Sequence, residues 1–116
     1  MFGRPSIPTI SAEELKQKIA AHENITLMDV RTPREWAQTG VIPGSIMVEM
    51  QTIPAQMENG LNAKLKSKEP IIVICRSGNR SAQVTAFLRE RYNIDAINLS
   101  GGVISWHSIG ESFEQI

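Results

Sequence analysis

The sequence holds a single cysteine and two histidines, and aromatic side chains make up only 5% of its 116 residues. One cysteine cannot close an intramolecular disulfide, and His22 and His107 lie far from any further soft ligand, so no disulfide and no structural metal are expected. Excess charge is missing too. Twelve basic residues balance twelve acidic ones, which leaves no global field to draw the chain onto nucleic acid or an anionic membrane. Any preference for anions must be local. No apolar run is long enough to cross a bilayer, and residues 1–10, with Gly3, Pro5 and Pro8, lack the continuous apolar stretch of a secretory signal. These absences predict a cytoplasmic, metal-free protein whose partners are neither nucleic acid nor membrane; a monomer or weak homodimer is expected, though neither the single cysteine nor the neutral charge decides it.

What remains is ordinary globular usage, 41% apolar and 21% charged, in a chain long enough for one compact domain and too short for two. Residues 1–8 read as a lead-in, 9–108 as the domain and 109–116 as a C-terminal tail. Within the domain, short apolar runs alternate with amphipathic stretches, the grammar of an α/β fold. Ser11 with Glu14 is a capping box that predicts a helix over 12–22, followed by a strand over 25–30. Thr32 with Glu35 repeats the box, with Pro33 at the first helical position, for a second short helix that carries Trp36 and stops at Gly40. Pro43 and Gly44 turn the chain into a strand at Ile46, Met47 and Val48. Residues 54–66 read as short helical pieces interrupted by Asn59 and Gly60.

From Pro70 the pattern sharpens. Ile71 to Ile74 is a continuous β-branched run of the kind found in strands covered on both faces, and it predicts the central strand. A helix beginning near Ser81 carries Val84, Phe87 and Leu88 to Tyr92 and Asn93, and a further strand spans 95–99. Strand, helix, strand over this length implies a right-handed parallel crossover. Ser100, Gly101 and Gly102 lead into a last helical turn with Ile104 and Trp106. Trp36 and Trp106 are expected to pack in the core or at its rim, since no basic stripe accompanies them.

The chemistry-bearing stretch is Cys75, Arg76, Ser77, Gly78, Asn79, Arg80 and Ser81, between the buried strand and its helix. Ligands of open parallel sheets sit beyond the carboxyl ends of the strands, and Cys75 occupies such an end. A short turn in which Gly78 and Asn79 take positive φ would point several N–H groups at one spot and form an anion cradle. Those amides, the helix N-terminus, Arg76 and Arg80 would hold a thiolate and lower the cysteine pKa from about 8.5. The same donors would hold the negative charge of a persulfide. In the cysteine-dependent phosphatases the arginine stands six positions after the cysteine, whereas Arg80 stands five after Cys75, so the cradle suits one sulfur better than a phosphoryl group. Asp29 and Arg31, at another strand end, read as an ion pair that supports the strand-to-helix turn.

Over nearly its whole length the chain resembles a single-domain rhodanese. The resemblance rests on Asp29-Val30-Arg31 followed by Glu35-Trp36, on Ile42-Pro43-Gly44-Ser45, on the active loop from Cys75 to Ser81, and on Ser100-Gly101-Gly102 followed by Trp106. Val41 departs from it, standing where the family very often has histidine. The likeness implies a mostly parallel five-stranded central sheet with helices on both faces. It also implies a Cys75 that takes a sulfane sulfur from a small anion such as thiosulfate and passes it to cyanide, a thiol or a protein, through a persulfide and without a cofactor. Arg80 and the loop amides would then hold the persulfide, Arg76 would meet the donor at the rim, and Ser81 would cap the helix and reach toward the sulfur. Two other readings of the same loop stay open: a phosphatase or arsenate reductase, and a binding module in which chemistry is incidental.

Overall fold

The run Ile71–Ile74 is buried along its whole length and forms the middle strand of a sheet. A computed structural model describes residues 7–65 and 69–116, so most of the lead-in expected over residues 1–8, and Lys66 at the end of the broken helical stretch, lie outside the described residues. Five strands stand in the order β1 (Thr9–Ile10), β5 (Ala96–Leu99), β4 (Ile71–Ile74), β2 (Thr26–Asp29) and β3 (Ile46–Met47). All four neighbouring pairs are parallel, so each needs a crossover, and the helices supply it.

Strand side chains alternate between two cores. Ile71, Val73 and Cys75 join Ala96 against Val84 and Leu88 on one face. Ile72, Ile74 and Leu99 join Leu15, Val103 and Trp106 on the other. The first core is covered by α5 (Asn79–Tyr92) and by the broken segment α3 (Ile53–Gln56) and α4 (Asn62–Leu65). The second is covered by α1 (Ala12–Ala20) and α6 (Gly102–Ser108). This is the doubly covered parallel sheet that the β-branched run predicts.

Both capping boxes form. In α1 the Ser11 hydroxyl accepts from the Glu14 amide and the Glu14 carboxylate accepts in return from Ser11 N–H; Thr32 and Glu35 do the same for α2 (Pro33–Thr39). The first helix stops at Ala20, short of the expected 22, because the chain turns there and His22 takes a φ of 53°. The segment after α3 kinks at Asn59 and at Gly60, whose φ is 116°, as the breaker pair implies. The last residues pack back on the domain: the Trp106 indole donates to the Ser112 carbonyl at 3.0 Å, and Val41 pairs antiparallel with Glu114. Val41, at 2% exposure, thus serves packing and backbone pairing.

Candidate active site

Cys75 leaves the carboxyl end of β4 with 1% of its surface exposed, and its sulfur is met by one backbone amide and one hydroxyl. Gly78 N–H donates to Sγ at 3.1 Å, and the Ser81 hydroxyl lies 3.2 Å away on the other side. Burial alone would push the thiol up, but the Ser81 hydroxyl and the amides of Ser81, Gly78 and Ser77 outweigh it, and the Cys75 pKa ends below its ordinary value. The Gly78 amide can face the sulfur because Gly78 takes a φ of 101°, a conformation that costs glycine least.

The structure corrects three expectations for this loop. Asn79 does not take positive φ; it is the exposed first residue of α5, and Gly78 is the N-cap. Ser81 does not cap the helix. It lies inside the first turn, fully buried, where its side chain faces Sγ and Asn98. Arg80 does not turn its guanidinium to the sulfur: Nη1 and Nη2 donate to the Glu35 carboxylate at 2.7 and 2.8 Å. The pair with Arg80 is the main cause that holds the Glu35 carboxyl down at about 2, and the same pair raises the Arg80 pKa. In this structure the Arg80 guanidinium therefore pairs with Glu35 beside the loop.

Arg76 and Ser77 are exposed. Arg76 opens onto a cavity of about 450 Å³, whose wall includes Glu35, Val103, Ile104, His107 and Phe113. Ser77, Gly78 and Asn79 border a second cavity of about 530 Å³ on the side of Asn98 and Gly101. His107 lies over the first cavity and stacks on Phe113 at a centroid distance of 6.3 Å.

Asp29 and Arg31 form the expected ion pair, and it is deeply buried. Arg31 Nε and Nη2 donate to the Asp29 carboxylate at 2.8–3.1 Å, with 1% and 0% of the two side chains exposed. The Trp36 indole donates to Asp29 Oδ1 at 2.9 Å, and Arg31 also reaches the Gly40 carbonyl. The pair thus ties the end of β2 to the middle and the C-terminal end of α2.

The glycine pair after β5 acts on the loop through its carbonyls. Val103 N–H donates to the Cys75 carbonyl at 2.9 Å and Ile104 N–H to the Arg76 carbonyl at 3.2 Å. A Cβ on Gly102 would meet the Cys75 carbonyl oxygen and stand 2.5 Å from that of Arg76. The start of α6 therefore holds the loop's carbonyls outward while the Gly78 amide turns in. Two participants are not among the site residues expected from the sequence: Glu35, which enters there through its capping box and the Glu35-Trp36 segment, and Asn98. The signal for Asn98 was its polar side chain at an inward strand position, in step with Ala96 and out of step with Leu99. Among the described residues no group of three or more His, Cys, Asp and Glu could hold a metal ion, and no helix is long and apolar enough to cross a membrane.

Residues 11–109 match the model of the Rhodanese-like domain. A sulfurtransferase of Allochromatium vinosum is 37% identical over 97 residues, 84% of this chain and 85% of that protein. The putative sulfurtransferase YtwF of Bacillus subtilis is 38% identical over 100 residues, 86% of this chain and 90% of its own. The crystal structure of a rhodanese-like domain protein from Staphylococcus aureus superposes with a TM-score of 0.76 at 32% identity, covering 93% of this chain and 99% of that one.

Proposed function

The chain belongs to the rhodanese-like domain family, and from that premise we propose that it transfers sulfur through a persulfide formed on Cys75. The observation that carries this reading is the paired approach of Gly78 N–H and the Ser81 hydroxyl to Sγ. These groups stabilise sulfur as an anion at the carboxyl end of a buried strand, where a ligand meets the sheet.

The step balances without a cofactor. The Cys75 thiolate attacks the sulfane sulfur of thiosulfate, forming the new S–S bond as the S–S bond of thiosulfate breaks and sulfite leaves with the electron pair. An acceptor nucleophile, such as cyanide, a thiol or a protein thiolate, then attacks the outer sulfur and returns Cys75 as thiolate. The exposed Arg76 at the cavity mouth offers a positive charge to the anionic donor. The pairing of Arg80 with Glu35 weighs against a phosphatase, because a phosphoryl group needs that guanidinium free to bind its oxygens in two-point fashion.

Incubation of the purified protein with thiosulfate should add one sulfur to its intact mass, removable by cyanide or reductant, and Cys75→Ser should take up none. An unmodified wild-type protein under these conditions overturns the reading. Retention of the adduct by Cys75→Ser would overturn the assignment to Cys75.

A further inference from the structure

We propose that Asn98 is a positioning residue that controls the protonation of Cys75 through Ser81, by competing with the sulfur for the Ser81 hydroxyl proton. Asn98 lies on β5, 6% exposed, and holds both groups that touch Sγ. Its Nδ2 donates to the Gly78 carbonyl at 3.3 Å, and its Oδ1 accepts from the Ser81 hydroxyl at 2.5 Å. The bond to Gly78 orients the amide, so its oxygen faces Ser81 and only an acceptor is offered there.

Ser81 has one hydroxyl proton and two neighbours that can take it. When Cys75 is a thiol, its S–H donates to Ser81 Oγ and Ser81 donates onward to Asn98, so every group is satisfied. When Cys75 is a thiolate, sulfur has no proton and can only accept. Ser81 must then turn its hydrogen to Sγ and leave the buried Asn98 oxygen without a donor, or stay with Asn98 and leave the thiolate short of one. Either choice costs a hydrogen bond. Asn98 therefore favours states in which Sγ carries no full charge and opposes the bare thiolate.

A persulfide is such a state for the inner sulfur, because its charge sits on the outer atom. In the loaded protein Ser81 rests on Asn98, and in the discharged thiolate Sγ and Asn98 compete for its one proton. This part rests on the persulfide reading above. The protonation part does not, since it concerns only the free thiol.

The test is the Cys75 pKa, read from the pH dependence of alkylation, in wild type, Asn98→Leu and Asn98→Asp, each with and without Ser81→Ala. Asn98→Leu keeps the volume and removes the acceptor, and should lower the pKa by about one unit, the scale of one hydrogen bond. In the Ser81→Ala protein the same substitution should produce no shift. Asn98→Asp strengthens the acceptor and adds charge, and should raise the pKa, by less when Ser81 is absent. An unchanged or raised pKa in Asn98→Leu, or an equal fall without Ser81, overturns the proposal. Should Asn98→Leu fail to fold by circular dichroism, the Asn98→Asp pair decides, and a rise independent of Ser81 overturns it. Thiosulfate loading of the same variants is scored separately: if wild type takes up no sulfur, the persulfide reading fails while the pKa result still stands or falls by itself.

Discussion

Arg80 on the active loop and Glu35 on α2, 45 residues apart, are joined by two parallel hydrogen bonds of 2.7 and 2.8 Å. The same Glu35 carboxylate accepts the Thr32 amide that closes the capping box of α2. One side chain thus serves a helix start and the clamp that holds the beginning of α5. Because 34% and 22% of the two side chains remain exposed, the pair is worth a surface ion pair's stability, about 1 kcal/mol.

Glu35→Gln should lower unfolding stability by about that amount at neutral pH, and should slow sulfur loading several-fold by releasing Arg80. The pH dependence follows from the carboxyl, held at about 2 chiefly by its bonds to Arg80. A depressed acid stabilises the fold fully above its unfolded value of 4.5 and loses that contribution as pH falls toward 2. Urea titrations of both proteins should therefore show a constant difference from neutral pH down to about 5 that shrinks below it. A difference independent of pH down to the acid limit would contradict this.

The sheet was legible in the sequence because the continuous β-branched run Ile71 to Ile74 favours a strand buried on both faces, and the capping boxes marked two helix starts. The loop was only half legible. Gly78 declared its positive φ, but Asn79 can take that conformation as well, and only the start of α5 decides between them. Arg80 read as a ligand for sulfur since its partner lies far off in sequence. Ser81 read as a cap because nothing in the chain places Asn98 beside it. Long-range polar pairs of this kind leave little local pattern.

Gly102→Ala should damage the fold and the site together. The added methyl group would press on the carbonyls of Cys75 and Arg76, at a φ of 55° that side chains rarely take. Backbone strain of this order costs about 1–3 kcal/mol, and the loop must shift to relieve it. Thermal denaturation should show the lowered stability, and Cys75 alkylation should slow at fixed pH. Wild-type stability and thiol reactivity in this variant would remove α6 from the account of the loop.

The buried pair of Asp29 and Arg31 gives a different signature. Arg31→Met leaves the Asp29 carboxylate in the core with only the Trp36 indole and the Arg31 backbone amide as donors. Breaking one side of a buried pair costs about 3–5 kcal/mol. Protein that still folds should load sulfur as wild type does, since neither residue touches Sγ. Lost loading in a folded Arg31→Met protein would show that the pair does more than join β2 to α2.

Against the upward push of burial, the Cys75 pKa falls chiefly through the Ser81 hydroxyl and the loop amides, while the Arg80 guanidinium is turned to Glu35. Titration of the thiolate by its ultraviolet absorbance tests this most directly. The midpoint should lie below that of an ordinary thiol in wild type, rise in Ser81→Ala and change little in Arg80→Gln. An ordinary midpoint in wild type, or a larger rise in Arg80→Gln than in Ser81→Ala, would contradict it.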